Sequence, residues 1–328
     1  MRDRQMKKRL ISFSLMLCCF VNICIAQSNN NYPTRTVRVL NPSSPGGGGD
    51  VIARIIQQEL TKSLGQTFLV DNRPGAANII ATDIAAKSPA DGYTLLLGTT
   101  GTFVTNPLMY KKLSYAVNDF VPITMVADAP FILSIHPTVP ANNLSEFITY
   151  AKANPGKLSF ASFGTGSSSH MAGEYFQILT GTKLIHVPYK GSAPGMADLL
   201  AGNITMTFDS GLSSIPNIQA KKIRPIAVAS SKRLANLPDV PTFAELGIQN
   251  FYAGSWYGFF APTGTPKDII NLLNKQIHQV TALPEITARI QALGATVAIN
   301  TPDEYATHIA KETEQWAQVI QKAKITPE

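Results

Sequence analysis

Short apolar segments alternate along most of the chain with longer segments in which apolar residues recur at helical spacing. Residues 50–63 show the pattern clearly, because one apolar stripe runs from Val51 to Leu60 and ends at Gly65. Strands are predicted at 36–41, 66–71, 93–98, 131–136, 157–162, 184–188, 204–209 and 223–230, and helices at 50–63, 79–87, 144–153, 169–180, 193–201, 266–281 and 301–322. This alternation predicts an α/β fold with largely parallel sheets.

The first 26 residues follow a different pattern, which is typical of a secretory signal. Basic residues are concentrated in residues 2–9, an apolar stretch follows from Ile11 to Ile25, and Cys24 and Ala26 are the small residues that cleavage requires. The apolar stretch has about 15 apolar residues, fewer than the roughly 20 that span a bilayer, which disfavours a membrane anchor. The sequence predicts a signal peptide over 1–26, cleaved near Ala26, with lipidation at Cys24 as the alternative.

Charge and cysteine content narrow the function classes. The net charge is +7, but residues 1–26 contribute +4 of it, so no nucleic-acid partner is predicted for the mature chain. The three cysteines, Cys18, Cys19 and Cys24, all precede the predicted cleavage site, which leaves no thiol for a disulfide, a nucleophile or a metal ligand. The five histidines have no close paired spacing, and we predict neither a metal site nor another cofactor.

Two loops rich in glycine and serine each join a predicted strand to a predicted helix: the 42–50 loop and the 162–170 loop. Glycine lets a backbone approach a ligand closely, and the free N–H groups at a helix start attract anions. Asp50 stands where a phosphate-binding loop would carry its lysine, which argues against a nucleotide. The hydroxyl groups of the second loop suit a carboxylate. An ordinary strand–helix turn is the alternative for the first loop, and a serine-rich helix N-cap is the alternative for the second.

A serine hydrolase is the alternative from another functional class. Ser167 or Ser168 would then be the nucleophile and His170 the base. However, residues 166–169 lack the second glycine of the Gly-x-Ser-x-Gly elbow, and His170 is too close in sequence for the required side-chain geometry. We therefore predict that the chain is not an enzyme.

An ordered set of motifs resembles a known family from about Tyr32 to the C-terminus. The motifs are Pro45-Gly46-Gly47 with Asp50, Asn72-Arg73-Pro74-Gly75-Ala76, Asp91-Gly92-Tyr93-Thr94-Leu95-Leu96, residues 164–174, residues 187–194, Phe208-Asp209, residues 237–242 and Gly258-Phe259-Phe260-Ala261-Pro262. In order and spacing they are similar to the Bug/TctC family, the extracytoplasmic solute receptors of tripartite tricarboxylate transporters. One departure is Ala77-Asn78, where the family commonly has two glycines; it puts the shape and selectivity of this part of the pocket in question.

The resemblance implies a periplasmic binding protein (Venus flytrap) fold, in which two α/β lobes are joined by crossing strands. Lobe one would comprise 33–128 and 255–328, and lobe two 129–254. The implied ligand is a small organic carboxylate, held in the interlobe cleft largely by neutral donors. The implied partner is the membrane part of a tripartite tricarboxylate transporter, with the receptor a monomer in the periplasm. A sensor subunit would share this fold, and the sequence does not name the ligand.

The residues predicted to contact the ligand lie in the two loops and at the carboxyl ends of strands, where open α/β sheets bind ligands. They are Ser43, Gly46, Gly47, Ala76, Thr99, Thr100, Ser162, Gly164, Thr165, Gly166, Ser167, His170, Lys190 and Asp209. A solvated surface side chain is the equal alternative for Lys190. We expect valine at Gly47 to occlude the site and to resist a positive φ, and Ser167→Ala to cost little stability.

Overall fold

The computed structural model describes residues 32–323, and the predicted signal peptide with its three cysteines lies outside this range. From Arg35 onward the described chain belongs to one compact unit. Within the described range, no helix combines the length and the apolar character that crossing a bilayer requires.

Within residues 32–323, ten strands and ten α-helices alternate along most of the chain. The strands are β1 (Val37–Asn41), β2 (Phe68–Asn72), β3 (Thr94–Thr99), β4 (Phe120–Ile135), β5 (Ser159–Ser162), β6 (Ile185–Pro188), β7 (Met206–Ser210), β8 (Arg224–Val228), β9 (Gly254–Pro262) and β10 (Thr296–Val297). The helices are α1 (Gly48–Leu64), α2 (Ile79–Ala86), α3 (Asn106–Met109), α4 (Leu144–Ala153), α5 (Ser168–Thr180), α6 (Ser192–Leu200), α7 (Gly211–Gln219), α8 (Lys267–Thr281), α9 (Pro284–Ala292) and α10 (Pro302–Ala323).

The strands pair in the order β2-β1-β3-β9-β4-β7-β5-β6, and β8 and β10 both pair with β4. Parallel pairing is confined to the two ends of this order, where β1 pairs with β2 and β3, and β5 pairs with β6 and β7. The long strands β4 and β9 run antiparallel to each other between the two parallel groups. The parallel strands end at the loops singled out above, because β1 leads into the 42–50 loop and β5 into the 162–170 loop.

Aromatic side chains make up two groups within one contiguous hydrophobic core. Phe103 stacks on Phe260 with ring centroids 3.9 Å apart, and Trp256 packs edge-on against Tyr305. A second group of buried rings packs around Phe243 and is completed by Phe176, Phe208 and Phe251. Burial of these rings stabilises the unit, because each removes a large apolar surface from water.

The predicted α/β architecture is confirmed, but the expectation of largely parallel sheets is wrong, because five of the nine strand pairs within residues 32–323 are antiparallel. Six elements differ from the prediction. Strand β4 begins at Phe120, so the predicted strand 131–136 covers only its second part. The strands β9 and β10 and the helices α3, α7 and α9 were not predicted. Helix α7 contains Pro216, and proline in a helix interior is normally a reason to predict none.

Candidate functional site

The 42–50 loop is held in shape by the buried carboxyl group of Asp50. One Asp50 oxygen accepts hydrogen bonds from the Gly46 amide (2.9 Å) and Arg54 Nε (3.0 Å), and the other accepts from Asn72 Nδ2 (2.9 Å). Burial opposes ionisation of Asp50, but these hydrogen bonds outweigh it and lower the pKa of the carboxyl group. Asp50 therefore remains ionised and fixes the loop. It lies in the first turn of helix α1, which begins at Gly48.

The 162–170 loop is closed by side chains of its own residues. Ser167 is the N-cap of α5 and accepts a hydrogen bond from the His170 amide at 3.4 Å. Ser169 Oγ accepts from the Phe163 amide at 2.9 Å, and His170 Nδ1 accepts from the Gly166 amide at 3.1 Å. These bonds use the loop's polar groups to fix its backbone at the start of the helix.

A stacked pair of imidazole rings lies behind this loop. The His170 and His186 ring centroids are 3.9 Å apart, and His186 Nε2 lies 2.6 Å from Ser162 Oγ. Burial, together with the nearby His170, lowers the pKa of His186 to about 4, so His186 is neutral at neutral pH. His170 and Ser162 thus support the loop from behind.

The two loops meet around a small cavity. Its volume is about 30 Å³, and its lining is uncharged in the part of the chain that the structure describes. The lining residues are Ser43, Gly48, Gly49, Asn78, Thr99, Phe163, Ser167, Ser168, Gly191, Ser192, Ser255 and Tyr257. The first residues of three helices, α1, α5 and α6, are among them, and helix N-termini carry partial positive charge that favours anions.

Direct contacts join the segments on either side of this cavity. Tyr110 Oη donates to the Thr165 carbonyl at 2.5 Å, and the Ala193 amide donates to Ser44 Oγ at 3.3 Å. A Cβ atom on Gly164 would lie 3.2 Å from the Ala77 backbone nitrogen, so this glycine permits a close approach. Such contacts leave little space between the loops.

A left-handed turn, residues 76–78, forms another wall. Ala76, Ala77 and Asn78 have φ values of 45°, 47° and 78°. Asn78 Nδ2 donates to Thr99 Oγ1 at 3.0 Å, and Asn106 Nδ2 donates to the Ala77 carbonyl at 2.7 Å. Two side-chain amides thus hold the turn against the end of β3.

Asp209 lies at the end of β7, behind the cavity. Its side chain accepts hydrogen bonds from Ser192 Oγ (2.5 Å) and from the Ser210 amide (2.7 Å), and the residue is only 1% exposed. Burial raises the pKa of Asp209 to about 6, against the opposing effect of these hydrogen bonds. Ser192 is the residue that connects Asp209 with the cavity lining.

Thirteen of the 14 predicted site residues lie at or around this cavity, and Thr100 lies apart from it. Ser43, Thr99 and Ser167 line the cavity. Ten others lie in the surrounding shell, as loop glycines, loop supports or strand ends: Gly46, Gly47, Ala76, Ser162, Gly164, Thr165, Gly166, His170, Lys190 and Asp209. Two residues of this shell, Lys190 and Ala76, are exposed to solvent and do not line the cavity.

Thr100 faces a second, larger cavity. Its Oγ1 accepts a hydrogen bond from the Trp256 amide at 3.2 Å, and the cavity that it lines measures about 810 Å³. This cavity also contains Asp128 and Glu312, and burial raises the pKa of both carboxyl groups, that of Glu312 to about 7. We call it the second cavity.

Sequence reasoning missed several lining residues. Ser255 and Tyr257 come from β9, an antiparallel strand that the alternation did not reveal. Gly191 and Ser192 follow β6 directly, so the rule that selected Thr99 at a strand end would also have selected them. Phe163 lies inside the 162–170 loop but was not among the predicted residues.

The expectation of a positive φ at Gly47 is wrong. Gly47 has φ −74°, which any residue adopts, and the left-handed position of the loop is Gly46 with φ +80°. A Cβ atom on Gly47 would lie 3.1 Å from the Ser44 carbonyl oxygen. Gly48 and Gly49 are the more crowded positions, with closest distances of 2.6 Å and 2.1 Å.

Ser167→Ala is expected to lower the free energy of unfolding by about 1 kcal/mol, because it removes the N-cap of α5. Ser167 is 1% exposed, so the expectation that this substitution costs little does not fit its position. Urea unfolding measures the change. Ser168→Ala is the matched control, since Ser168 follows the cap as the first helical residue. Equal stability of the two variants would contradict the capping role.

This chain is similar in sequence to a known family of receptors. Residues 52–325 match the model of the tripartite tricarboxylate transporter family receptor, TctC. Protein BugT of Bordetella pertussis is 37% identical over 316 residues, which cover 96% of this chain and 97% of BugT.

Solved structures with the same fold extend over nearly the whole described chain. The structure of R. palustris Rpa4515 with adipate has a TM-score of 0.88 and 36% identity, and covers 90% of this chain and 100% of that one. The periplasmic binding protein BugD has a TM-score of 0.87 and 35% identity with the same coverage. The family match and the BugT similarity agree, and the chain belongs to the Bug/TctC family of tripartite tricarboxylate transporter receptors.

Proposed function

We propose that this receptor captures a small organic carboxylate between the 42–50 and 162–170 loops. The observation that carries the proposal is the convergence of three helix starts, at Gly48, Ser168 and Ser192, on one cavity with an uncharged lining. N–H groups and hydroxyl groups there can each donate to a carboxylate oxygen, and a hydrogen bond to a charged group is worth about 1.5–3 kcal/mol. The adipate bound to the related Rpa4515 supports this ligand class.

Capture requires the two loops to separate. A cavity of about 30 Å³ holds little more than one water molecule, so a carboxylate enters only when the Tyr110–Thr165 and Ser44–Ala193 hydrogen bonds are broken. We assign 33–128 and 255–328 to one lobe and 129–254 to the other. The separation of β1–β3 from β5–β7 in the strand order supports this division, with β4 and β9 as the crossing strands.

The 14 residues predicted from the sequence remain our proposed binding region, with Ser43, Thr99 and Ser167 in direct contact with the ligand. The receptor acts as a periplasmic monomer that delivers its ligand to the membrane subunits of a tripartite tricarboxylate transporter. Membership of a receptor family and similarity to the periplasmic protein BugD support this role.

The chain acts without catalysis in this proposal. Ser167 Oγ is paired with Ser169 Oγ at 3.2 Å and accepts from the backbone of His170, whose Nδ1 is occupied by the Gly166 amide. A nucleophilic serine needs an imidazole nitrogen that can accept its proton. Turnover of generic esters that disappears in Ser167→Ala would support the hydrolase instead.

A thermal-shift screen against organic acids, amino acids and aromatic carboxylates tests the binding function. A ligand at 100 times its dissociation constant should add roughly 2.7 kcal/mol of stability. We expect stabilisation by at least one carboxylate and none by its uncharged amide analogue. Stabilisation by amides or cations alone would overturn the carboxylate assignment.

The mature protein is expected to carry no thiol, because Cys18, Cys19 and Cys24 precede the proposed cleavage site near Ala26. Thiol titration and the intact mass of protein purified from the periplasm check this expectation together. A titratable thiol, or the mass of a lipid on the N-terminus, would overturn the cleavage assignment.

A further inference from the structure

Asp209 is a buried carboxyl group whose hydrogen-bond partners are neutral. Ser192 Oγ donates to one of its oxygens and the Ser210 amide to the other, and the hydroxyl group of Ser213, 3.2 Å from Ser192 Oγ, is a third neutral partner. No Lys, Arg or His among residues 32–323 forms an ion pair with it. The titratable group that interacts with it is the phenol of Tyr257 on β9, whose pKa is raised by burial and then by Asp209 itself. A buried carboxylate without a cation is costly to keep ionised.

Ser192 stands between this carboxyl group and the cavity. Its side chain is part of the cavity lining, and its single hydroxyl proton is donated to Asp209 at 2.5 Å. With Asp209 ionised, Ser192 therefore presents lone pairs to the cavity, which repel a carboxylate. With Asp209 protonated, the acid donates to Ser192 Oγ, and the hydroxyl proton of Ser192 points at the ligand, whose charged oxygen is a stronger acceptor than the neutral Ser213 Oγ at 3.2 Å.

We propose that capture of the carboxylate places a proton on Asp209, and that Ser192 transmits the effect by reversing the direction of its hydrogen bond. The inference rests on the proposed carboxylate-binding function and adds the regulation of that site by pH. The proton comes from solvent and is held on a carboxylate oxygen of Asp209, so one ligand is bound with up to one proton. Release of the ligand returns the proton.

The electrostatics of the site support this coupling. Asp209 has a pKa of about 6 in the unliganded protein, and a second negative charge nearby raises it further. At pH 7 Asp209 is thus largely ionised before capture and takes up a proton on capture. Above pH 6 the affinity must then fall as pH rises, by up to about tenfold per pH unit, because binding and protonation are linked.

Isothermal titration calorimetry tests the proposal. The ligand is adipate, or the carboxylate that stabilises the protein most in the screen. The titration is done at pH 7 in two buffers of different ionisation enthalpy, so that the difference in heat gives the number of protons taken up. We expect uptake of a measurable fraction of one proton per ligand. Carboxylic acids with an ordinary pKa of about 4 are already ionised at this pH and contribute no proton change of their own.

Two variants locate the proton. Asp209→Asn keeps the shape of the side chain and imitates the protonated acid, since its amide can donate to Ser192 Oγ. For this variant we expect no proton uptake on binding and an affinity that does not depend on pH. At pH 8 it should bind the ligand more tightly than wild type. Glu312→Gln is the matched control, because Glu312 also has a raised pKa, of about 7, but lies in the second cavity. It should leave proton uptake unchanged.

The outcomes separate the inference from the function on which it rests. Binding without proton uptake in the wild type, or loss of uptake in Glu312→Gln with retention in Asp209→Asn, overturns the inference and leaves the receptor function standing. Failure of every carboxylate in the screen to bind overturns both. If Asp209→Asn does not fold, the wild-type proton count and the Glu312→Gln control decide the question.

Discussion

Replacing Gly48 with valine is expected to weaken carboxylate binding by about a hundredfold or more, which corresponds to about 2.7 kcal/mol. The first added atom, Cβ, would lie 2.6 Å from Tyr257 Oη, 2.9 Å from Ser210 Oγ and 3.2 Å from a Leu212 methyl group. Those three side chains come from other elements and are buried, so they cannot all move aside. The start of α1 would be displaced, and with it the N–H groups proposed to hold the ligand.

Calorimetry with the ligand found by the screen measures this effect, and urea unfolding of the unliganded variant shows whether the fold survives. Gly47→Ala is the matched control, because Gly47 has an ordinary backbone conformation and its Cβ would approach the Ser44 carbonyl oxygen no closer than 3.1 Å. We expect the control to bind within tenfold of wild type. Wild-type affinity in Gly48→Val would show that the ligand lies elsewhere.

Phe103→Ala is expected to lower the free energy of unfolding by about 3–5 kcal/mol, the range for truncation of a fully buried phenylalanine. Phe103 is 1% exposed and stacks on Phe260 with centroids 3.9 Å apart. It also packs edge-on against Phe120 at the start of β4, with centroids 5.5 Å apart. Its removal opens a void beside the rings of Phe120, Trp256 and Phe260, which these rigid side chains cannot fill.

Denaturant unfolding measures this loss, with Leu69→Ala as the control. Leu69 is on β2 and 53% exposed, so its truncation should change the stability by less than about 0.5 kcal/mol. A loss below 1 kcal/mol in Phe103→Ala would contradict the packing described for the β4–β9 pair.

Elements with one buried face could be predicted well from the sequence. Helix α4 occupies the predicted range, Leu144–Ala153, because its apolar stripe, the Asn143 cap and the stop at Pro155-Gly156 all agree. Strand β9 is buried almost throughout, so it lacks the alternation by which a half-buried strand is recognised. The first part of β4 contains Pro122 and Pro130, which normally argue against a strand.

Local sequence patterns likewise predict only part of the cavity lining. Ser43, Thr99 and Ser167 were accessible to prediction because they follow strands whose carboxyl ends lead to the site. Ser255 and Tyr257 enter from the middle of an antiparallel strand, and only the pairing of β9 with β3 and β4 brings them there. The burial of Asp209 behind Ser192 likewise depends on long-range packing, which no local pattern contains.

The left-handed turn at residues 76–78 has a consequence for how this chain can evolve. An alanine in that conformation costs about 1–2 kcal/mol relative to a right-handed one, and glycine has no such cost. Alanine and glycine codons differ by one nucleotide, so one point mutation at Ala76 or Ala77 would relieve strain. The two alanines therefore keep a strained backbone in this wall, and Ala77 is the residue whose backbone lies against Gly164.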